Sequence, residues 1–176
     1  MPNQLSLLKS KRFLPLFVTQ FCGVFNDNSF KNALLIWFTY DAAMKSHFNV
    51  QQMVTFASGV FIVPFLLFST IAGQIADKYE KSKLTQKLKV IEVILVCIGF
   101  ICFYFQNIYG LLIILFMLGM QSTFFGPIKY SLLPEHLKKN ELVAGNGLIS
   151  GGTFLSILLG TIFGGIIIRA NYGIFI

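Results

Sequence analysis

The residues of this chain best able to do chemistry stand together as Phe25-Asn26-Asp27-Asn28-Ser29-Phe30-Lys31-Asn32, inside a run otherwise apolar from Phe13 to Phe38. On a helix, Asp27 and Lys31 stack one above the other, and Asn28 and Asn32 form a parallel row about 100° around it. Gln20 and Gly23 continue the Asp27 row toward the N-terminus, so the polar strip covers about three turns. A charged side chain at a bilayer centre costs about 2.5–3.5 kcal/mol on insertion scales, so this strip must face a protein interior or a watery cavity. Two readings follow. The strip lines a path for a charged substrate or for protons, or Asp27 and Lys31 form an internal pair that only fixes helix packing.

Elsewhere reactive groups are sparse. Glu92 opens an apolar run with Lys89 one turn earlier, and an interfacial ion pair is preferred there over a proton relay or a catalytic role. Cys22, Cys97 and Cys102 all fall inside apolar runs, with no CxxC and no Cys/His spacing for a metal, and read as packing or lipid-facing residues. Gly145-Asn146-Gly147 lacks the third glycine and the βαβ setting of a dinucleotide site. With no nucleophile–base pairing either, neither an enzyme nor a cofactor is expected.

The elements that must position the polar strip are membrane helices. The chain is 55% hydrophobic and 12% charged with twenty Phe, a composition no soluble core absorbs. The net charge of +7 sits in short clusters between apolar runs, without a basic stripe, so nucleic acid is not an expected partner. Apolar runs define five spans at about 13–38, 53–76, 90–106, 111–125 and 142–168, each to be set against a bilayer core ~30 Å thick. Lys9, Lys11 and Arg12 precede the first span, but its length and its charges argue against a cleavable leader. Tyr40 to Gln52 reads as a polar loop with Asp41, Lys45 and His47. Pro64 is expected to kink the second span, and Gly126-Pro127 to break or kink the fourth, leaving Lys129 at the membrane boundary. Glycines at 147/151 and 160/164 in the fifth span allow close helix approach of the small-xxx-small kind. An apolar restart from about Tyr172 reads as the opening of a truncated sixth span, so the chain is expected to be the N-terminal portion of a longer protein or a shortened reading frame. Eleven of the fourteen Lys and Arg fall on one side of this topology, which makes the N-terminus cytoplasmic.

Gly73-Gln74-Ile75-Ala76-Asp77-Lys78-Tyr79-Glu80-Lys81 resembles the signature loop between helices two and three of the major facilitator superfamily, approximately G-x-L-A-D-R-x-G-R. Gly73, Ala76, Asp77, Lys78 and Lys81 match in character, and Glu80 departs from the usual glycine. The resemblance implies a conformational gate at Gly73, Asp77, Lys78 and Lys81, with Gly73 admitting a neighbouring helix. Phe25 to Lys31, Gly126 to Pro134 and Glu141 to Leu148 resemble the bacterial lysophospholipid transporter branch of that superfamily. That likeness covers nearly the whole chain. It implies an all-α integral membrane fold, the N-terminal half of a major-facilitator-type bundle with five transmembrane helices and the start of a sixth. It further implies a multi-pass protein of the bacterial inner membrane, surrounded by membrane lipid, with a lysophospholipid as substrate. A C-terminal half, and in some members an acyltransferase, would be its partners. Asp27 and Lys129 map to the headgroup path, and Asn28, Lys31 and Asn32 share the polar face beside Asp27. Besides a lysophospholipid flippase, a proton-coupled exporter of small compounds and a membrane anchor for an acyltransferase fusion are the alternatives.

Overall fold

The computed structural model describes residues 4–42 and 49–172. After a short 3-10 turn over Gln4–Lys9, five helices follow: α1 (Leu14–Trp37), α2 (Val50–Lys78), α3 (Lys81–Tyr104), α4 (Ile108–His136) and α5 (Leu142–Tyr172). Pro15 in the first turn of α1 costs no hydrogen bond, because the leading N–H groups of a helix have no internal acceptor. At its other end α1 runs into a π-helical turn over Phe38–Ala42. The polar loop expected from Tyr40 to Gln52 is therefore shorter than its composition suggests, and Lys45 and His47 lie outside the described residues. Asn49 caps α2 by accepting from the Gln51 N–H at 3.0 Å, and Asn107 caps α4 by accepting from Gly110 at 3.1 Å. Between α3 and α4, Gln106 takes a left-handed conformation with φ of 52°, which reverses the chain within a few residues.

Gly126-Pro127 does not end α4. Pro127 and Pro134 both lie inside the helix, as Pro64 does in α2. Each proline removes one backbone donor, which a helix embedded among neighbours tolerates. α3 likewise begins at Lys81, ahead of its apolar run, because Lys83, Lys87 and Lys89 are good helix formers despite their charge. α5 continues through Asn171 and Tyr172, so the expected opening of a sixth span falls outside the described residues.

The closest pairings are α1 with α5 and α2 with α4, and α3 lies along α4. Glycine makes the first of these possible. A Cβ on Gly160 would strike the Phe25 carbonyl, one on Gly164 the Ser29 carbonyl, and one on Gly152 the Phe17 ring, while the Ser156 hydroxyl donates to the Phe21 carbonyl. The small face of α5 is thus Gly152, Ser156, Gly160 and Gly164, one residue every turn. At Gly147 and Gly151 a Cβ would meet nothing within 4 Å, so these two take no part in the seam, contrary to the close approach expected there.

Two apolar clusters bracket the bundle. One joins Phe30, Leu34 and Trp37 of α1 to Leu111, Leu115 and Leu118 of α4, and the other joins Phe13 and Leu16 to Phe125, Ile128 and Leu132. Between them, at Gly23 to Asn28 of α1 and Gln121 to Thr123 of α4, lies a polar layer. The outer surface is apolar, with Leu66 at 78% and Phe154 at 74% exposure, as lipid contact requires. By length and composition, α2, α4 and the Leu142–Ile168 stretch of α5 can cross a membrane. The polar strip of α1, its Gln and Asn residues as much as its two charges, and the charges of α3 keep those two helices out of that class.

Candidate functional site

Asp27 anchors the polar layer. It is 4% exposed, and its Oδ2 accepts from the Ser122 hydroxyl of α4 while its Oδ1 is buried with no partner among the described residues. Ser122 also lies 3.3 Å from Gln121 Oε1, and Gln121 Nε2 donates to Glu92 Oε2 of α3 at 2.9 Å. Lys89 donates to the same Glu92 oxygen at 2.6 Å and sits 4.3 Å from the centre of the Phe125 ring. The preferred Lys89–Glu92 pair is present, but Glu92 is 7% exposed and bonded inward through Gln121, so the pair belongs to the interior. α1 passes this pair at Gly23, where a Cβ would strike Lys89 Nζ.

Asp27 and Lys31 do not form the internal pair that their spacing allows. Lys31 donates instead to Asn28 Oδ1 at 3.2 Å and lies 5.3 Å from the centre of the Phe61 ring of α2. Asn28 donates to the Val24 carbonyl at 2.8 Å, and Asn32 donates to the Asn28 carbonyl at 2.8 Å and to Thr161 of α5 at 3.1 Å. Gln20 also turns to α5, donating to Thr153. The strip therefore splits, with Asp27 facing α4, Lys31 facing α2, and Gln20 and Asn32 serving the α1–α5 seam. Lys129 stands two turns beyond Ser122 on α4, ~10 Å along the axis. It is half-buried, its Nζ is 5.0 Å from the centre of the Tyr130 ring, and it has no carboxylate partner among the described residues. Between the two, Gly126 has nothing within 4 Å of where a Cβ would be.

Ser122 and Gln121 carry no notice in the sequence, since two small or neutral polar residues in an apolar run resemble helix-packing residues. Their only signal is position, seven and eight residues before Lys129. A separate cleft of about 490 Å³ lies between α1, α3 and α5, lined by Phe30, Ala33, Phe100, Phe103, Gly164 and Ile167. Asn26 stands in its wall with a buried Nδ2 that has no partner among the described residues.

At the basic end, Lys81 of α3 donates to Glu135 of α4, and Lys83 pairs with Glu80 at 2.6 Å. Asp77 and Lys78 are exposed, and Lys78 lies 5.8 Å from the centre of its neighbour Tyr79. Gly73 has nothing within 4 Å of a Cβ, so it does not admit a neighbouring helix; Ala72 and Ala76, each 1% exposed, are the buried small residues of this turn. Glu80 has φ of −62°, ordinary for any residue, and its departure from glycine causes no backbone strain.

An all-helical bundle with a charged layer buried inside an apolar exterior defines a membrane-transporter class, and the chain belongs to the Major Facilitator Superfamily, whose family model matches residues 16–176. It is 30% identical over 161 residues to the lysophospholipid transporter LplT of Salmonella arizonae, covering 90% of this chain and 37% of that protein. The lysophospholipid transporter LplT of Escherichia fergusonii is 29% identical over 163 residues, 91% of this chain and 37% of that protein, and that of Citrobacter koseri 28% over 161 residues, 90% of this chain and 37% of that protein. The chain thus spans about 37% of the length of these relatives. No solved structure matches it.

Proposed function

We propose that this chain forms the N-terminal part of a lysophospholipid transporter, a multi-pass protein of the bacterial inner membrane with its N-terminus in the cytoplasm. The observation that carries the reading is a buried carboxylate, Asp27, with one oxygen unpartnered among the described residues, bonded to Ser122 of α4 two turns from a half-buried cation, Lys129, that has no carboxylate partner among the described residues. A zwitterionic headgroup needs both signs within reach. Asp27 Oδ1 accepts from the headgroup ammonium and Lys129 meets the phosphate, while Asn28 and Asn32 hold the flanking backbone and Lys31 supplies a second cation. The similarity to proteins named lysophospholipid transporters over 90% of the chain supports the substrate class.

The five helices are its first five spans. Exchanging α1 with α4 and α2 with α5 turns the α1–α5 pairing into the α4–α2 pairing, which supports two inverted three-helix repeats. The helix after α5 would then pack on α1 as α3 packs on α4, beside the cleft that holds Asn26. Asp77, Lys78 and Lys81, with Gly73 a turn earlier, work as the gate at the cytoplasmic end, where the Lys81–Glu135 link ties α3 to α4.

The test is uptake of radiolabelled lysophosphatidylethanolamine by cells lacking their own lysolipid transport and expressing the intact gene product. Uptake above the empty-vector control is expected. Uptake of soluble cationic compounds in its place would assign the protein to export of small solutes.

A further inference from the structure

We propose that Thr85 of α3 binds phosphate, forming with Lys129 of α4 and Lys89 a three-donor subsite for the phosphate group of the headgroup. The inference rests on the reading of Lys129 as the cation that meets that phosphate, and it adds α3 to the site. Its starting point is a hydroxyl without a partner. A Ser or Thr within a helix can turn its hydroxyl back onto the carbonyl four residues earlier, and Ser29, Thr39, Thr55, Ser58, Thr123 and Thr153 all do so, at 2.7–2.9 Å. Thr85 does not. Its Oγ1 is buried and has no partner among the described residues, although the Lys81 carbonyl stands where its six counterparts find their acceptor. A hydroxyl kept buried and unpaired costs free energy that this back-bond would have spared, and a ligand acceptor recovers it.

The register of α3 against α4 says what that ligand meets. The two helices run antiparallel, and three contacts fix how they align: Lys81 with Glu135, Lys89 with the Phe125 ring at 4.3 Å, and Glu92 with Gln121 at 2.9 Å. One turn from the Lys89–Phe125 contact toward the basic end, four residues along each helix, stand Thr85 and Lys129. They therefore lie level with each other, on the faces of α3 and α4 that carry the contacts. Lys129 is half-buried and has no carboxylate partner among the described residues. Lys89, the next turn up, gives one of its three ammonium donors to Glu92 at 2.6 Å, and it is seated against α1, where a Cβ on Gly23 would strike its Nζ. Both carboxylates on these facing helices are already paired, Glu92 with Lys89 and Glu135 with Lys81. The group thus offers donors only and carries one net positive charge, that of Lys129, which balances the single negative charge of a phosphodiester.

The test uses the intact gene product and Thr85→Val, which removes the hydroxyl and keeps the shape. The unfolding midpoint of the detergent-purified, ligand-free variant should not fall, because no bond within the protein is lost. The KM for transport of lysophosphatidylethanolamine and of lysophosphatidylglycerol, which share the phosphodiester and differ beyond it, should rise about tenfold for both, the scale of one hydrogen bond to a charged group. Thr85→Ser, which keeps the hydroxyl, should restore both. A lowered midpoint, an unchanged KM, or a rise for one lipid alone overturns the assignment. A wild-type protein that carries neither lipid refutes the proposed function, and the subsite is then decided by the rise in its unfolding midpoint on adding lysophosphatidylglycerol or inorganic phosphate. A rise that Thr85→Val reduces upholds the phosphate site, the lipid marking a headgroup and the inorganic ion a free phosphate as its source. No rise with either probe, or a rise that Thr85→Val leaves intact, overturns it.

Discussion

Asp27 is a buried carboxylate whose stabilisation comes from a hydroxyl donor, without a cation in ion-pair contact among the described residues. Hydrogen bonds to charged groups contribute about 1.5–3 kcal/mol, less than a full ion pair supplies to a desolvated charge. Such a group is stable enough to fold and still able to gain from a ligand. Lys31 has separate partners in Asn28 and the Phe61 ring, so neither residue is stranded when the other is changed. The consequence can be measured. Asp27→Asn should lower lysolipid uptake by about tenfold or more, Lys31→Leu should lower it less, and the combined variant should be no better than Asp27→Asn alone. Were the two an internal pair, the combination would leave nothing unpaired and uptake, corrected for protein level, would recover.

At the scale of elements, the α1–α5 seam determines where Asp27 points, because the Gly160 and Gly164 contacts fix the rotation of α1 against α5. Gly160→Ala should destabilise the purified protein by about 1–3 kcal/mol, the usual cost of forcing a methyl group into a close backbone contact. Gly147→Ala meets open space and should be neutral or stabilising by up to about 1 kcal/mol, since alanine replaces glycine within a helix. Equal effects at the two sites in thermal unfolding would show that the seam does not run through Gly160. The glycines at 160 and 164 were legible as a small-xxx-small pair because their spacing matches a helix turn. That the seam continues through Gly152 and Ser156 and omits 147 and 151 depends on the rotation of α5, which spacing alone does not contain. The internal polar strip of α1 was legible for a similar reason, since charge in an apolar run has to face inward. Its division among α2, α4 and α5 was not, because that depends on residues such as Ser122 and Thr161 that look like packing residues in their own helices. Gly126-Pro127 does not break the helix, because a proline's local cost is real in an isolated helix and is offset in a bundle, where surrounding helices hold α4 on through His136.

For the whole molecule, orientation in the membrane depends on which helix ends lie together. The α1 N-terminus, the α2–α3 connection at Tyr79-Glu80 and the α4–α5 connection at Leu137 to Glu141 share one end of the bundle, joined by Lys81 to Glu135 and by Arg12 to Glu141 at 3.8 Å. Eleven of the fourteen Lys and Arg lie toward that end. Each surface ion pair contributes only about 0–1 kcal/mol, so these links do not by themselves hold the fold; in the proposed orientation the basic end is the one the positive-inside rule retains in the cytoplasm. The opposite end carries the C-terminal end of α1, the start of α2 and the Gln106-Asn107 hairpin, and in the proposed orientation it is the side that crosses the membrane during insertion. Ser82 at the basic end and Gln52 at the other are both exposed, so each accepts a cysteine without loss of packing. In a background with Cys22, Cys97 and Cys102 replaced by serine, an impermeant maleimide should label Gln52→Cys in intact cells and Ser82→Cys only after permeabilisation. Labelling of Ser82→Cys in intact cells would place the basic end outside. The headgroup path would then open to the other compartment first, and the cytoplasmic gate would have to be sought at the hairpin end.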